Sequence, residues 1–250
     1  ELHAEYWRVN VEGTRNVVEQ AVAAGVQRLV YVSTVTVYGP SDGQVVDESA
    51  APRPDTVYSR TKLEGEQVAL AAQRAGDGKP LAVVLRLATV YGPRQKGNLQ
   101  RLALALARGR FVPVGDGRNR RTLVYARDAV EAMLLAAEHP KAAGQVLNVT
   151  DGRIHRMRGM LTAICQALGR PAPRLYVPMP LARAGAASLE YAFALVGRRA
   201  PLTRSTLDKF VEDAAYSGQR IRAELGFRPA YDLEAGWQET VAELRRSAEL

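Results

Sequence analysis

The sequence predicts an α/β protein: a parallel sheet covered by helices on both faces, with a smaller, mostly helical lobe towards the C-terminus. Three observations carry this. Short runs rich in Val and Leu at 28–33, 81–86 and 146–149 alternate with helical stretches. Beyond Asp151-Gly152 the chain reads almost wholly as helix. Its 250 residues, 47% of them hydrophobic, suit one large domain or a domain with a lobe. Residues 1–150 therefore read as the sheet domain, with an excursion into the lobe near 94–127, and 151–250 mainly as the lobe.

Taken in order, residues 4–24 form a helix in which Val9, Val17, Val18, Ala21 and Val22 share a face and Gly25 is the stop. Arg28 to Ser33 is a buried strand. A long loop follows, marked by Gly39-Pro40, Gly43 and Pro52-Arg53-Pro54. Tyr58 to about Arg74 is a helix, and Leu81 to Arg86 the second buried strand. After Gly92-Pro93 come a helix near 98–108, short strands at Arg110–Val114 and Thr122–Tyr125, a helix over 127–138 and the strand Val146–Val149. The lobe contributes helices near 156–168, 179–196, 203–212, 217–225 and 232–247.

Composition excludes several classes. One cysteine, Cys165, rules out an internal disulfide framework, and its place on an apolar helix face makes it a small buried hydrophobe. His3, His139 and His155 lack metal-ligand spacing, so no metal is assigned. The acidic start Glu1-Leu2-His3-Ala4-Glu5 is no signal peptide. No apolar stretch reaches the roughly 18 residues of a spanning helix, and the expected location is cytoplasmic. The segment 179–196 reads first as a core helix of the lobe, then as an apolar lid or membrane-surface helix. The net charge is +8, with nine basic residues against Asp116 alone between Arg94 and Arg127. That stretch reads as a solvated arginine-rich surface or a pocket for an anionic ligand. Nucleic acid is disfavoured because no aromatic residues are interleaved.

Tyr58-Ser59-Arg60-Thr61-Lys62 stacks a phenol and an ammonium one helical turn apart. A phenol with a pKa near 10 is a poor acid/base at neutral pH, and a nearby ammonium is expected to lower it. Such a tyrosine gives a proton to a carbonyl oxygen in reduction or takes one from an alcohol in oxidation. Ser33 and Thr34, at the C-terminal end of a strand where ligands bind in open parallel sheets, are the hydroxyl candidates. Alone the spacing is weak, since chance supplies it in about one such chain in five.

The surroundings add specificity. Arg8-Val9-Asn10-Val11-Glu12-Gly13-Thr14, Val32-Ser33-Thr34-Val35-Thr36-Val37-Tyr38-Gly39, Tyr58-x-x-x-Lys62, Leu85-Arg86-Leu87-Ala88-Thr89-Val90-Tyr91-Gly92-Pro93, Gly115-Asp116-Gly117 and Val124 to Ala129 follow one another in this order. Together they resemble the extended short-chain dehydrogenase/reductases, the NAD-dependent epimerase/dehydratase superfamily, over nearly the whole chain. The resemblance implies a Rossmann-like doubly wound sheet and an NAD or NADP cofactor. It implies Thr34, Tyr58 and Lys62 as catalytic residues, with Asn10, Ser33, Tyr58, Lys62, Leu87, Ala88 and Thr89 near the cofactor. Thr34, Thr36, Thr89 and Arg121 would face a small-molecule substrate, Arg121 matching an arginine that contacts diphosphate in nucleotide-sugar members. A homodimer is typical of such proteins.

The pattern departs from the family at the front, where a Gly-x-x-Gly-x-x-Gly turn normally holds the cofactor pyrophosphate. The expectation is a chain without the first part of that domain, leaving an apolar sheet edge exposed and binding dinucleotide weakly. Pro178-Met179-Pro180-Leu181, Pro201-Leu202-Thr203, Leu225-Gly226-Phe227-Arg228-Pro229 and Gly236-Trp237 look like the 3β-hydroxysteroid dehydrogenase and dihydroflavonol-reductase branch. That branch interconverts an alcohol and a ketone on a bulky, largely apolar molecule. Val35-Thr36 stand where sugar-nucleotide dehydratases carry Asp-Glu, which argues against dehydration. The alternatives are a nucleotide-sugar 4-epimerase and a non-catalytic binding or regulatory relative.

Overall fold

The computed structural model describes residues 2–198, 200 and 203–249. Glu1, and Pro201 and Leu202 of the motif singled out above, lie outside the described residues. In chain order the elements are α1 (Leu2–Trp7), a π-helical turn (Arg8–Glu12), α2 (Gly13–Ala23), β1 (Leu29–Thr34), a 3-10 turn (Val35–Tyr38), α3 (Val57–Leu70), β2 (Ala82–Leu87), β3 (Thr89–Tyr91), α4 (Asn98–Ala107), β4 (Arg120–Arg121) and β5 (Leu123–Tyr125). Then follow α5 (Ala126–Glu138), a 3-10 turn (Pro140–Ala142), β6 (Val146–Val149), β7 (His155–Arg156), α6 (Met157–Leu168), α7 (Met179–Leu195), α8 (Arg204–Val211), α9 (Gln219–Leu225) and α10 (Leu233–Arg246).

The chain divides into two compact units. The first holds residues 1–90, 122–153 and 215–232; the second holds 91–121, 154–214 and 233–250. The first unit is a Rossmann-like sheet of three parallel strands in the order β1–β2–β6. Every residue of the central β2 is buried, which is why it reads as an apolar run broken by Arg86 alone. Side chains alternate across a strand. Val83, Leu85 and Leu87 accordingly join α5 and α9 in one apolar cluster with Leu147, Val149, Ile221 and Leu225. Ala82 and Val84 join α2 and α3 in the other, with Val18, Tyr31 and Ala69. Strand β1 lies at the edge of the sheet, with Val32 38% exposed.

Two local expectations need correction. The first helix runs as expected but contains the π turn, and its inward residues are Val11 and Val18; Val9 and Val17 are exposed. Val17 stands about 100° round from Val18, and the extra residue of the π turn moves Val9 further from the buried face. Arg110–Val114 is no strand. Val114 alone forms a bridge, to Val177, because Gly109 and Gly115, both with positive φ, bend the chain at either end of the segment.

In the second unit α10 and α4 pack on α6. Tyr91 stacks on Trp237 with centroids 5.1 Å apart, and Gly236 permits this because a Cβ there would run into the Tyr91 ring. Cys165 is buried on α6, and burial pushes its thiol pKa up. Helix α7 is not the core helix expected from its composition: of its residues only Ala186 is buried. Among the described residues, no helix is long and apolar enough to cross a membrane.

Candidate active site

The start of α3 is set by a reciprocal cap. Thr56 Oγ1 accepts from the Ser59 amide at 3.1 Å, and Ser59 Oγ accepts from the Thr56 amide at 3.1 Å. Two otherwise unpaired amides are satisfied, and the first turn, which carries Tyr58, is fixed. Tyr58 is 42% exposed. Its ring meets Tyr6 edge-on, with centroids 6.0 Å apart. One turn on, Lys62 Nζ donates to the Val32 carbonyl of β1 at 2.6 Å and lies 4.2 Å from the centre of the Tyr31 ring.

This orientation corrects the expected electrostatics. Burial, with Tyr6 adding to it, holds the Tyr58 phenol above its ordinary pKa of 10.0. The Lys62 ammonium points at β1 and Tyr31 and does not depress it. Burial pulls Lys62 below the ordinary lysine value, while the Glu66 carboxylate opposes that shift. At neutral pH, Tyr58 is therefore a protonated phenol.

At the end of β1, the Thr34 hydroxyl caps the 3-10 turn, accepting from the Thr36 amide at 3.2 Å. The two threonine hydroxyls are 3.1 Å apart; Thr34 is half-buried and Thr36 exposed. Ser33 faces the other way. It is buried, and its Oγ donates to Glu66 Oε1 at 2.5 Å. Glu66 also receives Arg86, with Nε at 3.0 Å from Oε1 and Nη2 at 2.6 Å from Oε2. Burial works against the Arg86 charge, but Glu66 outweighs it and holds the guanidinium above its ordinary pKa. The guanidinium also stacks 4.6 Å from the Tyr38 ring, whose hydroxyl donates to Asn148 Oδ1 at 3.0 Å. A continuous buried polar network thus ties β1, β2, β6 and α3 together.

The π turn places Asn10. Its Nδ2 donates to Thr61 Oγ1 at 3.0 Å, and Thr61 Oγ1 donates to the Tyr58 carbonyl at 3.1 Å. Gly65 makes this approach possible, since a Cβ there would strike the Asn10 carbonyl and the Tyr31 hydroxyl. At the end of β2 and just beyond it, Leu87 and Ala88 are buried and Thr89 is exposed. All of these residues belong to the first unit. Arg121 belongs to the second, where its Nη2 donates to the carbonyls of Lys209 and Phe210 at 2.8 and 2.9 Å.

Sequence reasoning passed over Glu66, Arg86, Tyr6, Tyr31 and Tyr38. One signal was available. A lone arginine inside an otherwise apolar strand demands a buried anionic partner, and Glu66, one turn beyond Lys62, is placed to supply it. Nothing comparable marked the tyrosines.

The profile of the NAD dependent epimerase/dehydratase family matches residues 1–150. The chain is 28% identical to a UDP-glucose 4-epimerase of Vibrio cholerae, across 94% of this chain and 68% of that protein. It is also 28% identical to a 3beta-hydroxysteroid-dehydrogenase/decarboxylase of Arabidopsis thaliana, across 96% of this chain and 58% of that protein. Among solved structures, MoeE5 in complex with UDP-glucose and NAD matches with a TM-score of 0.73 at 30% identity, covering 98% of this chain and 74% of that one.

Proposed function

Since the chain belongs to the NAD dependent epimerase/dehydratase family, we propose that it interconverts an alcohol and a ketone on a bulky, largely apolar substrate, with Tyr58 as the acid/base. The observation that carries this reading is the half-exposed phenol at the capped start of α3, with Lys62 one turn on and anchored to the edge carbonyl of β1. The residues fit a nicotinamide cofactor, NAD or NADP. The Lys62 ammonium keeps donors beyond the one given to Val32, enough for the hydroxyls of a ribose, and Leu87, Ala88 and Thr89 line the end of β2. When bound, the cofactor supplies or accepts the hydride.

The residues of the chain do the rest. Tyr58, protonated at neutral pH, donates its proton to the carbonyl oxygen in reduction and takes one back in oxidation. Thr34 holds the same oxygen by a hydrogen bond. Lys62, kept at the Val32 carbonyl, offers its remaining donors to the cofactor ribose. Asn10, through Thr61, steadies the first turn of α3. The 3β-hydroxysteroid relative and the sequence features of the lobe support the apolar substrate.

A second reading, 4-epimerisation of a nucleotide sugar, is favoured by the Vibrio relative and by the UDP-glucose bound to MoeE5. Against it, Arg121 has its Nη2 committed to two backbone carbonyls. The two are separated by assaying NADH loss with a ketosteroid against interconversion of UDP-glucose and UDP-galactose. Turnover of the sugar alone would replace the first reading with the second.

A further inference from the structure

Helix α6 buries Met157, Met160, Leu161 and Ile164 and turns Arg158 outward. Beyond the helix, the segment from Pro171 to Tyr176 returns along this outer side, and the two enclose an open cavity of about 490 Å³. Arg158, Arg174, Pro171, Pro173 and Tyr176 form most of its wall, with no carboxylate among the lining residues. All of them belong to the second unit.

The wall is held in place by its surroundings. The Val177 amide donates to the Pro113 carbonyl at 2.9 Å, and the Val177 carbonyl accepts from the Gly115 amide at 2.9 Å, which fixes the neighbouring Tyr176. The turn Gly115-Asp116-Gly117 closes on that ring: Gly117 has a φ of 67°, and a Cβ there would stand 2.9 Å from the ring and 3.3 Å from Arg158 Cβ. The Arg158 amide donates to the Gly117 carbonyl at 2.9 Å, its Nη2 donates to the Asp116 carbonyl at 3.3 Å, and its guanidinium lies 4.8 Å from the centre of the Tyr176 ring. An arginine seated in this way keeps most of its five donors. Arg120, Arg183 and Arg204 of the same unit meet carboxylates at 2.9, 2.7 and 2.8 Å. Among the described residues, neither Arg158 nor Arg174 meets one.

Charge and shape select the ligand. Two guanidiniums without a counter-charge match a dianion, and their planar forks suit the oxygens of a phosphoryl group, which is nearly dianionic as a monoester at neutral pH. The cavity has room for more than that group, and the prolines and the tyrosine ring give it an apolar side. We propose that this cavity binds a phosphorylated small molecule, with the phosphoryl group between Arg158 and Arg174 and the organic part against Pro171, Pro173 and Tyr176. The inference stands apart from the chemistry at Tyr58 and from Arg121, which has no part in the wall.

Calorimetric titration of the full chain with phenyl phosphate, and separately with inorganic phosphate, tests it. We expect saturable binding of one phenyl phosphate per chain, and inorganic phosphate about tenfold weaker because it leaves the apolar side unused. Arg158→Ala and Arg174→Ala should each weaken phenyl phosphate about tenfold or more, while Arg183→Ala, which removes the same charge elsewhere in the unit, should not. Since Arg158 also packs on Tyr176, Arg174→Ala is the decisive variant: its side chain is exposed, and thermal unfolding should be unchanged. Three results would overturn the proposal: no saturable binding at low salt, affinity untouched by Arg174→Ala, or an equal loss in Arg183→Ala. Inorganic phosphate binding as tightly as phenyl phosphate would overturn the place given to the organic part.

Discussion

Helices α3 and α7 both turn charge towards the protein, but their surroundings differ. In α3 the carboxylate of Glu66 is 1% exposed and meets Arg86 within an apolar layer of the sheet. In α7 the Arg183–Asp208 pair remains 55% and 45% exposed. A pair of the first kind locks geometry, because a lost partner leaves a bare charge out of reach of water. The second kind stabilises little, but it leaves the outer face of α7 free of charge. The outer surface of α3 carries the Tyr58 phenol; that of α7 carries mainly small and apolar groups.

The comparison can be broken or sharpened by substitution. The largest effect should come from Tyr58→Phe, which we expect to slow turnover by about 100- to 10,000-fold while leaving dinucleotide binding nearly intact, as read by kcat and a fluorescence titration; unimpaired turnover would remove Tyr58 from the mechanism. Glu66→Gln should cost about 3–5 kcal/mol in denaturant unfolding, and Glu66→Gln with Arg86→Met should recover much of that loss. Gly65→Ala should cost about 1–3 kcal/mol through overpacking against Asn10 and Tyr31, with a fall in kcat as α3 shifts.

The pH profile is a subtler probe. A phenol held above its ordinary value keeps its proton through neutral pH, so ketone reduction should stay level there and fall only above about 10, roughly tenfold per pH unit. Alcohol oxidation, which needs the phenolate, should instead climb about tenfold per pH unit up to about 10, where reduction is still level. A reduction limb that falls already near pH 8 would mean that Lys62 turns to Tyr58 in the working complex. The smallest effect belongs to Asp208→Asn on the α7 side, about 0–1 kcal/mol in unfolding.

Much of the first unit was legible in the sequence because its signals are local. The apolar run of β2 needs no partner to be recognised, and the spacing of Tyr58 and Lys62 lies within one helical turn. What escaped depends on distance or on a break in period. Glu66 and Arg86 are 20 residues apart and meet only when β2 is laid beside α3. The π turn hid the inward place of Val11 behind a regular count. Composition made α7 look like a core helix, since residue content does not reveal which side a neighbour covers.

Arg86 also bears on how the sheet assembles. Strand β2 offers apolar residues to both faces, so its hydrophobic pattern barely distinguishes one alignment with β1 from the next. A slip of one residue would carry the guanidinium to the opposite face, among Leu147, Ile221 and Leu225, where the apolar cluster offers no carboxylate. The misaligned strand would then hold an unpaired buried cation. The Glu66–Arg86 pair thereby penalises the nearest wrong pairing, and makes one threading of the sheet preferred while the chain folds.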